Sequence, residues 1–186
     1  MRLVILAAAV LALAACNQGS GPQLPRLQEG AQAPSTQTPQ PGAQQAQVTD
    51  EVRQQLLTQI DQMLDQMEQQ SGMAVAEGTS DQVQPMQPAT DMRWTVNLAQ
   101  GQRYTMIGAC DGDCTNIDIE LIDMRTGGVV ASDMLDDDFP VVNFAPTQNG
   151  EYMVRLLMQT CSVAPCFAGG RVLAAPADAD AAAGGK

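Results

Sequence analysis

Trp94-Thr95-Val96-Asn97-Leu98 alternates apolar and polar side chains, and that period of two decides the fold. In an extended strand successive side chains point to opposite faces. Trp94, Val96 and Leu98 therefore share a face bound for a core, and Thr95 and Asn97 share the other. The same alternation recurs in Ile117-Asp118-Ile119-Glu120-Leu121, and in Tyr152, Val154, Leu156 and Met158. Between and beyond these lie Tyr104–Ala109, Val129–Ala131, Val141–Phe144 and a last segment over Gly170–Leu173. Turn signals at Gln100-Gly101, Arg125-Thr126-Gly127-Gly128 and Thr147-Gln148-Asn149-Gly150 separate the apolar runs. Seven short strands at this spacing predict a mainly β chain, with a small antiparallel sandwich over 91–173.

Upstream the period changes. Val52, Leu56, Ile60, Met63 and Met67 recur at steps of four and three, with Leu57 and Leu64 beside them. Thr49 is an N-cap candidate, Asp50 and Glu51 fall in the first turn, and Gly72 is a terminator. These predict one amphipathic helix over 49–71, its stripe packing either on its own domain or on a partner. Residues 72–90 read as a linker. Asn17–Gln47 carries nine Gln and five Pro, with Leu24 and Leu27 its only large apolar side chains. Such a composition buries too little surface to offset ordering entropy, so 16–48 is expected as a disordered tether. Residues 174–186, rich in Ala, Gly and Asp, are expected as a disordered tail.

The N-terminus combines Arg2 with the apolar run Leu3–Leu13, a secretory signal too short to span a bilayer. It ends in Leu13-Ala14-Ala15-Cys16, which resembles the bacterial lipobox. The resemblance implies removal of residues 1–15, a diacylglycerol on Cys16 and acylation of the new amino group. Several acyl chains anchor stably where one is marginal. Asn17 follows the cysteine, not the Asp that resembles the inner-membrane retention signal of enteric bacteria, so the resemblance implies the outer membrane, with the chain expected to face the periplasm.

Twenty-one acids against nine bases give a net charge of −12, which excludes nucleic acid as a partner. The chain has no histidine, which removes Ser-His-Asp and Cys-His catalysis and histidine metal ligands. Besides Cys16, four cysteines remain in an exported domain, an even number that implies disulfides. Cys110 and Cys114 bracket one loop, and Cys161 and Cys166 another, so local pairing is expected over a four-thiolate zinc site. Acids gather at Asp111 and Asp113, and at Asp133, Asp136, Asp137 and Asp138, with Asp118 and Asp123 nearby. Clustered carboxylates on short loops suit calcium; the alternative is a solvated acidic surface. The eleven methionines are scattered, most of them at periodic apolar positions, which is core filling rather than copper chemistry.

Four pieces in order carry a family resemblance: Leu98-Ala99-Gln100-Gly101-Gln102-Arg103-Tyr104, Asp118-Ile119-Glu120-Leu121, Ser132-Asp133 with Asp136-Asp137-Asp138, and Gly150-Glu151-Tyr152-Met153-Val154. Over about Asp91–Leu173 the chain resembles the bacterial pre-peptidase C-terminal (PPC-like) domain. The resemblance implies a jelly-roll-like sandwich without catalytic residues, with calcium carried over to Asp118, Asp133 and Asp136–Asp138. The expected function is a non-catalytic envelope lipoprotein that presents the sandwich for protein binding or structural support. The alternatives are a polysaccharide- or calcium-dependent ligand-binding module, favoured by exposed aromatics beside the acidic loops, and, remotely, a hydrolase using paired Asp residues.

Overall fold

The computed structural model describes residues 19–37 and 42–176. Residues 1–18, with the expected signal peptide and Cys16, and residues 38–41 and 177–186 lie outside the described residues. In chain order the elements are β1 (Gly19–Ser20), β2 (Gln44–Gln45), α1 (Asp50–Ser71), β3 (Ala74–Val75), β4 (Gln82–Met86) and β5 (Thr90–Leu98). There follow β6 (Tyr104–Cys110), β7 (Cys114–Asp123), β8 (Val129–Asp133), β9 (Val141–Phe144), β10 (Gly150–Cys161), β11 (Val163–Ala164) and β12 (Cys166–Ala174).

All seven expected strands form, and they make two sheets. One runs β1-β5-β10-β7-β8, the other β3-β12-β6-β9 with β4 also on β12; β2 and β11 form a small parallel pair. Apart from β1 on β5, the ladders within the two large sheets are antiparallel. The alternating residues meet between the sheets as read. Trp94, Val96 and Leu98 from β5, Ile117, Ile119 and Leu121 from β7, and Val154, Leu156 and Met158 from β10 share one buried core with Met106, Ala168 and Val172. The chain is thus mainly β, a small sandwich with one helix.

The outer face of the second sheet is covered by α1. The Thr49 hydroxyl accepts from Val52 N at 3.3 Å, and Gly72 ends the helix at φ 66°. Ile60 and Leu64 are fully buried against Ile107, Ala109, Phe167 and Leu173. The stripe therefore packs on its own domain. Gly169 allows this approach, because a Cβ there would sit 2.7 Å from Ile60 Cγ2. Arg171 of β12 reaches back to Asp65 of α1 at 2.8 Å, and to Asp81 at 2.9 Å.

Two segments expected without structure have it. The 72–90 linker contains β3 and β4, whose backbones pair with β12. The tether expected over 16–48 is a strap where it is described. Residues 19–37 run down the outer face of the first sheet and back. Gln28 N donates to Thr126 O at 2.7 Å, and Val129 N to Gln32 O at 2.9 Å. Gln44–Gln45 then pairs with Val163–Ala164. Composition measures only the apolar surface a segment can bury. This strap is held by backbone hydrogen bonds and by charges already ordered on the sheet.

Candidate functional site

Beneath the strap lies a row of charged side chains on the outward face of β5, β10 and β7. Register places Arg155 between Arg93 and Glu120, and Leu157 between Asp91 and Asp118. Asp91, Arg93, Glu120 and Arg155 are each no more than 5% exposed. Arg93 Nε donates to Asp91 Oδ1 at 2.8 Å, and Arg155 Nε to Asp91 Oδ2. Arg155 Nη1 donates to Glu120 Oε2 at 2.9 Å and to the carbonyl of Ser35 at 2.8 Å. Ser35 N donates to Glu120 Oε1 at 2.8 Å, and Arg93 Nη1 to Pro22 O at 3.3 Å. Two acids and two bases balance in charge, and the strap satisfies the lone pairs and protons that the ladder leaves over.

Glycine makes the contact possible. A Cβ on Gly19 would stand 1.7 Å from Asp91 Oδ1. Gly21 has φ 104°, and a Cβ there would fall 1.9 Å from Arg93 O. On the sheet side, Gly127 and Gly128 give the same clearance to Arg26 and Ala31.

Asp118 continues the row without a basic partner among the described residues. It is 2% exposed; Gln159 Nε2 donates to its Oδ2, and its Oδ1 has no hydrogen-bond partner among the described residues. Burial pushes its carboxyl up to about 6 against the bond from Gln159, and repulsion from Asp133, Glu120 and Asp137 adds to the rise.

Of the other expected metal ligands, Asp111, Asp133 and Asp137 accept from backbone amides. Asp111 Oδ2 accepts from Phe167 N at 2.7 Å and its Oδ1 from Asp113 N at 3.3 Å, while burial raises its pKa. Asp133 Oδ2 accepts from Val141 N at 2.8 Å and its Oδ1 from Leu135 N at 3.2 Å. Asp137 Oδ1 accepts from Phe139 N at 3.1 Å. Among the described residues no group of three or more His, Cys, Asp or Glu side chains is arranged to hold a metal ion. The seven aspartates expected as calcium ligands (Asp111, Asp113, Asp118, Asp133, Asp136, Asp137 and Asp138) are therefore not brought together as a site. Asp133 and Asp137 each accept from an amide two residues on, as Asp side chains in turns do.

The cysteines pair locally as expected, Cys110 with Cys114 and Cys161 with Cys166. Both disulfides lie at one pole of the sandwich, where β6 turns into β7 and β10 leads to β12. At the opposite pole a cleft of about 610 Å³ opens between the end of α1 and the strand ends, lined by Met73, Tyr104, Thr105, Asn143 and Phe144.

The ladder and strap escaped the reading of the sequence. Arg93, Glu120 and Arg155 fall at outward positions of alternating strands, where charge ordinarily means solvent. The signal that could have found them is Gly19-Ser20-Gly21 in a stretch otherwise rich in Gln and Pro. No family model matches the chain, and no curated protein matches its sequence.

Proposed function

We propose that this chain is a non-catalytic envelope lipoprotein, anchored to the outer membrane by lipid on Cys16 and presenting a PPC-like sandwich to the periplasm as a binding or supporting module. Cysteine usage carries the reading. Four of the five cysteines are at disulfide geometry, which needs an oxidising compartment, and the fifth stands at the end of Leu13-Ala14-Ala15-Cys16. Membrane fractionation with intact-mass measurement tests it. The wild type should lose residues 1–15 and gain the mass of acyl chains. Cys16→Ser should leave the membrane or stay uncleaved. A Cys16→Ser chain processed and fractionating like wild type would refute the proposal.

A second reading, a polysaccharide-binding module, is favoured by one observation: Phe139 is exposed beside Asp136–Asp138. Its exposed neighbours Met134 and Leu135 are not aromatic, and Trp94, Tyr104 and Tyr152 are buried, which leaves little ring surface for stacking on sugars.

A further inference from the structure

We infer that the disulfide pole of the sandwich, with the loop between β8 and β9, rests on the membrane that holds the lipid of Cys16. This rests on the lipoprotein reading above.

The first observation is where the chain ends. β1 runs parallel to β5, with Gly19 beside Asp91 and Ser20 beside Met92. The chain therefore enters β1 from the end where β5 begins and β10 finishes, which is the pole of both disulfides. Two residues, Asn17 and Gln18, separate Cys16 from Gly19, and the three chain steps between them span at most about 11 Å. A free tether of 31 residues would instead wander over roughly 30 Å. Docking of the strap turns a long leash into a short one and selects the pole that faces the bilayer.

The second observation is what that pole exposes. Asp133 ends β8 at the level of Ile119, Leu156, Met92 and Ser20, as successive registers show. The following loop thus projects at the same pole, on the edge opposite β1 and about 19 Å away across four strand spacings. It carries Leu135 at 66% exposure, with Met134 and Phe139 each at 43%. Three exposed large apolar side chains on one loop suit the interface of a bilayer. The same loop holds Asp136-Asp137-Asp138. Carboxylates are repelled by anionic headgroups and pair with ammonium groups, so the surface that fits is zwitterionic phospholipid of the phosphatidylethanolamine type.

The test uses the mature lipidated protein in vesicles of phosphatidylcholine and phosphatidylethanolamine with brominated acyl chains, which quench tryptophan on contact. Trp94 is buried and its Nε1 has no partner among the described residues, so Trp94→Phe gives up no hydrogen bond seen there. On that background, Leu135→Trp should be quenched several-fold more than Gln148→Trp at the opposite pole. If the background does not fold, the same two substitutions are read against the constant signal of Trp94. Equal quenching at the two poles, or none at 135 in protein that co-floats with the vesicles, overturns the inference and leaves the lipoprotein reading intact. Protein purified from membranes that carries no lipid and fails to co-float overturns both. Exchanging part of the phosphatidylethanolamine for phosphatidylglycerol should weaken quenching at 135; unchanged quenching overturns the choice of headgroup.

Discussion

The two outer faces of the sandwich are covered by opposite means. Over β12 and β6, α1 buries Ile60 and Leu64 among Ile107, Ala109, Phe167 and Leu173. Over β5, β10 and β7, the strap buries Asp91, Arg93, Glu120 and Arg155, supplying backbone groups where α1 supplies side chains. An apolar cover tolerates loss in proportion to the area removed. A polar cover over charges is less forgiving where one partner is removed, because each group left buried without a partner keeps its desolvation cost. The contrast can be broken or sharpened by substitution on each side.

The largest effect is expected in the ladder. Arg155→Met leaves Asp91 without one of two arginines and Glu120 without the arginine that pairs with it among the described residues, all buried, and should cost about 3–5 kcal/mol in chemical denaturation. Pairing Arg155→Met with Glu120→Leu should recover part of that loss. A double variant no more stable than the single one would mean that the ladder's charges are not what the strap protects.

On the helix side, Ile60→Ala should cost about 2–5 kcal/mol by opening a cavity against Phe167 and Gly169. Removal of residues 49–70 should lower the melting temperature of the remaining sandwich. Unchanged melting would return α1 to the role of a partner-binding helix.

Asp118 sharpens the polar side through pH. Its folded pKa of about 6 lies above the unfolded 3.8, so between these values the native state holds more protons than the unfolded one. The stability it contributes is full below the unfolded value and is lost as pH rises through about 6. Asp118→Asn, which can still accept from Gln159, should therefore stabilise by roughly 2–3 kcal/mol at pH 7 and by little at pH 4. A gain that is the same at both pH values would locate the effect outside the titration.

The smallest global effect should come from the strap's own glycine. Gly19→Ala cannot keep its place against Asp91 and Arg93. It should detach the first strand of the strap, costing about 1–2 kcal/mol and speeding amide exchange at Ser20 while the amides of Val154 and Leu156 stay protected. Protection at Ser20 equal to wild type would show that the close approach is not needed.

The sandwich and the helix were legible because both are governed by apolar periodicity. Trp94, Val96 and Leu98 at steps of two, and Leu56, Ile60, Met63 and Met67 at steps of four and three, each declare a buried face in local sequence. The disulfide pairing was legible for a related reason: Cys110 and Cys114, and Cys161 and Cys166, are close enough along the chain for local loops to join them. Composition counts carboxylates, and only the folded loops show that Asp111, Asp133 and Asp137 accept from backbone amides. The strap was illegible for a deeper reason. A segment of Gln, Pro and Gly has no face to declare, and its partners Arg93, Glu120 and Arg155 lie far along the chain on three different strands. Local sequence determined which residues turn inward. Only the tertiary structure decided that the outward charges are buried as well, because a buried charge is stable only where distant chain segments supply all of its partners at once.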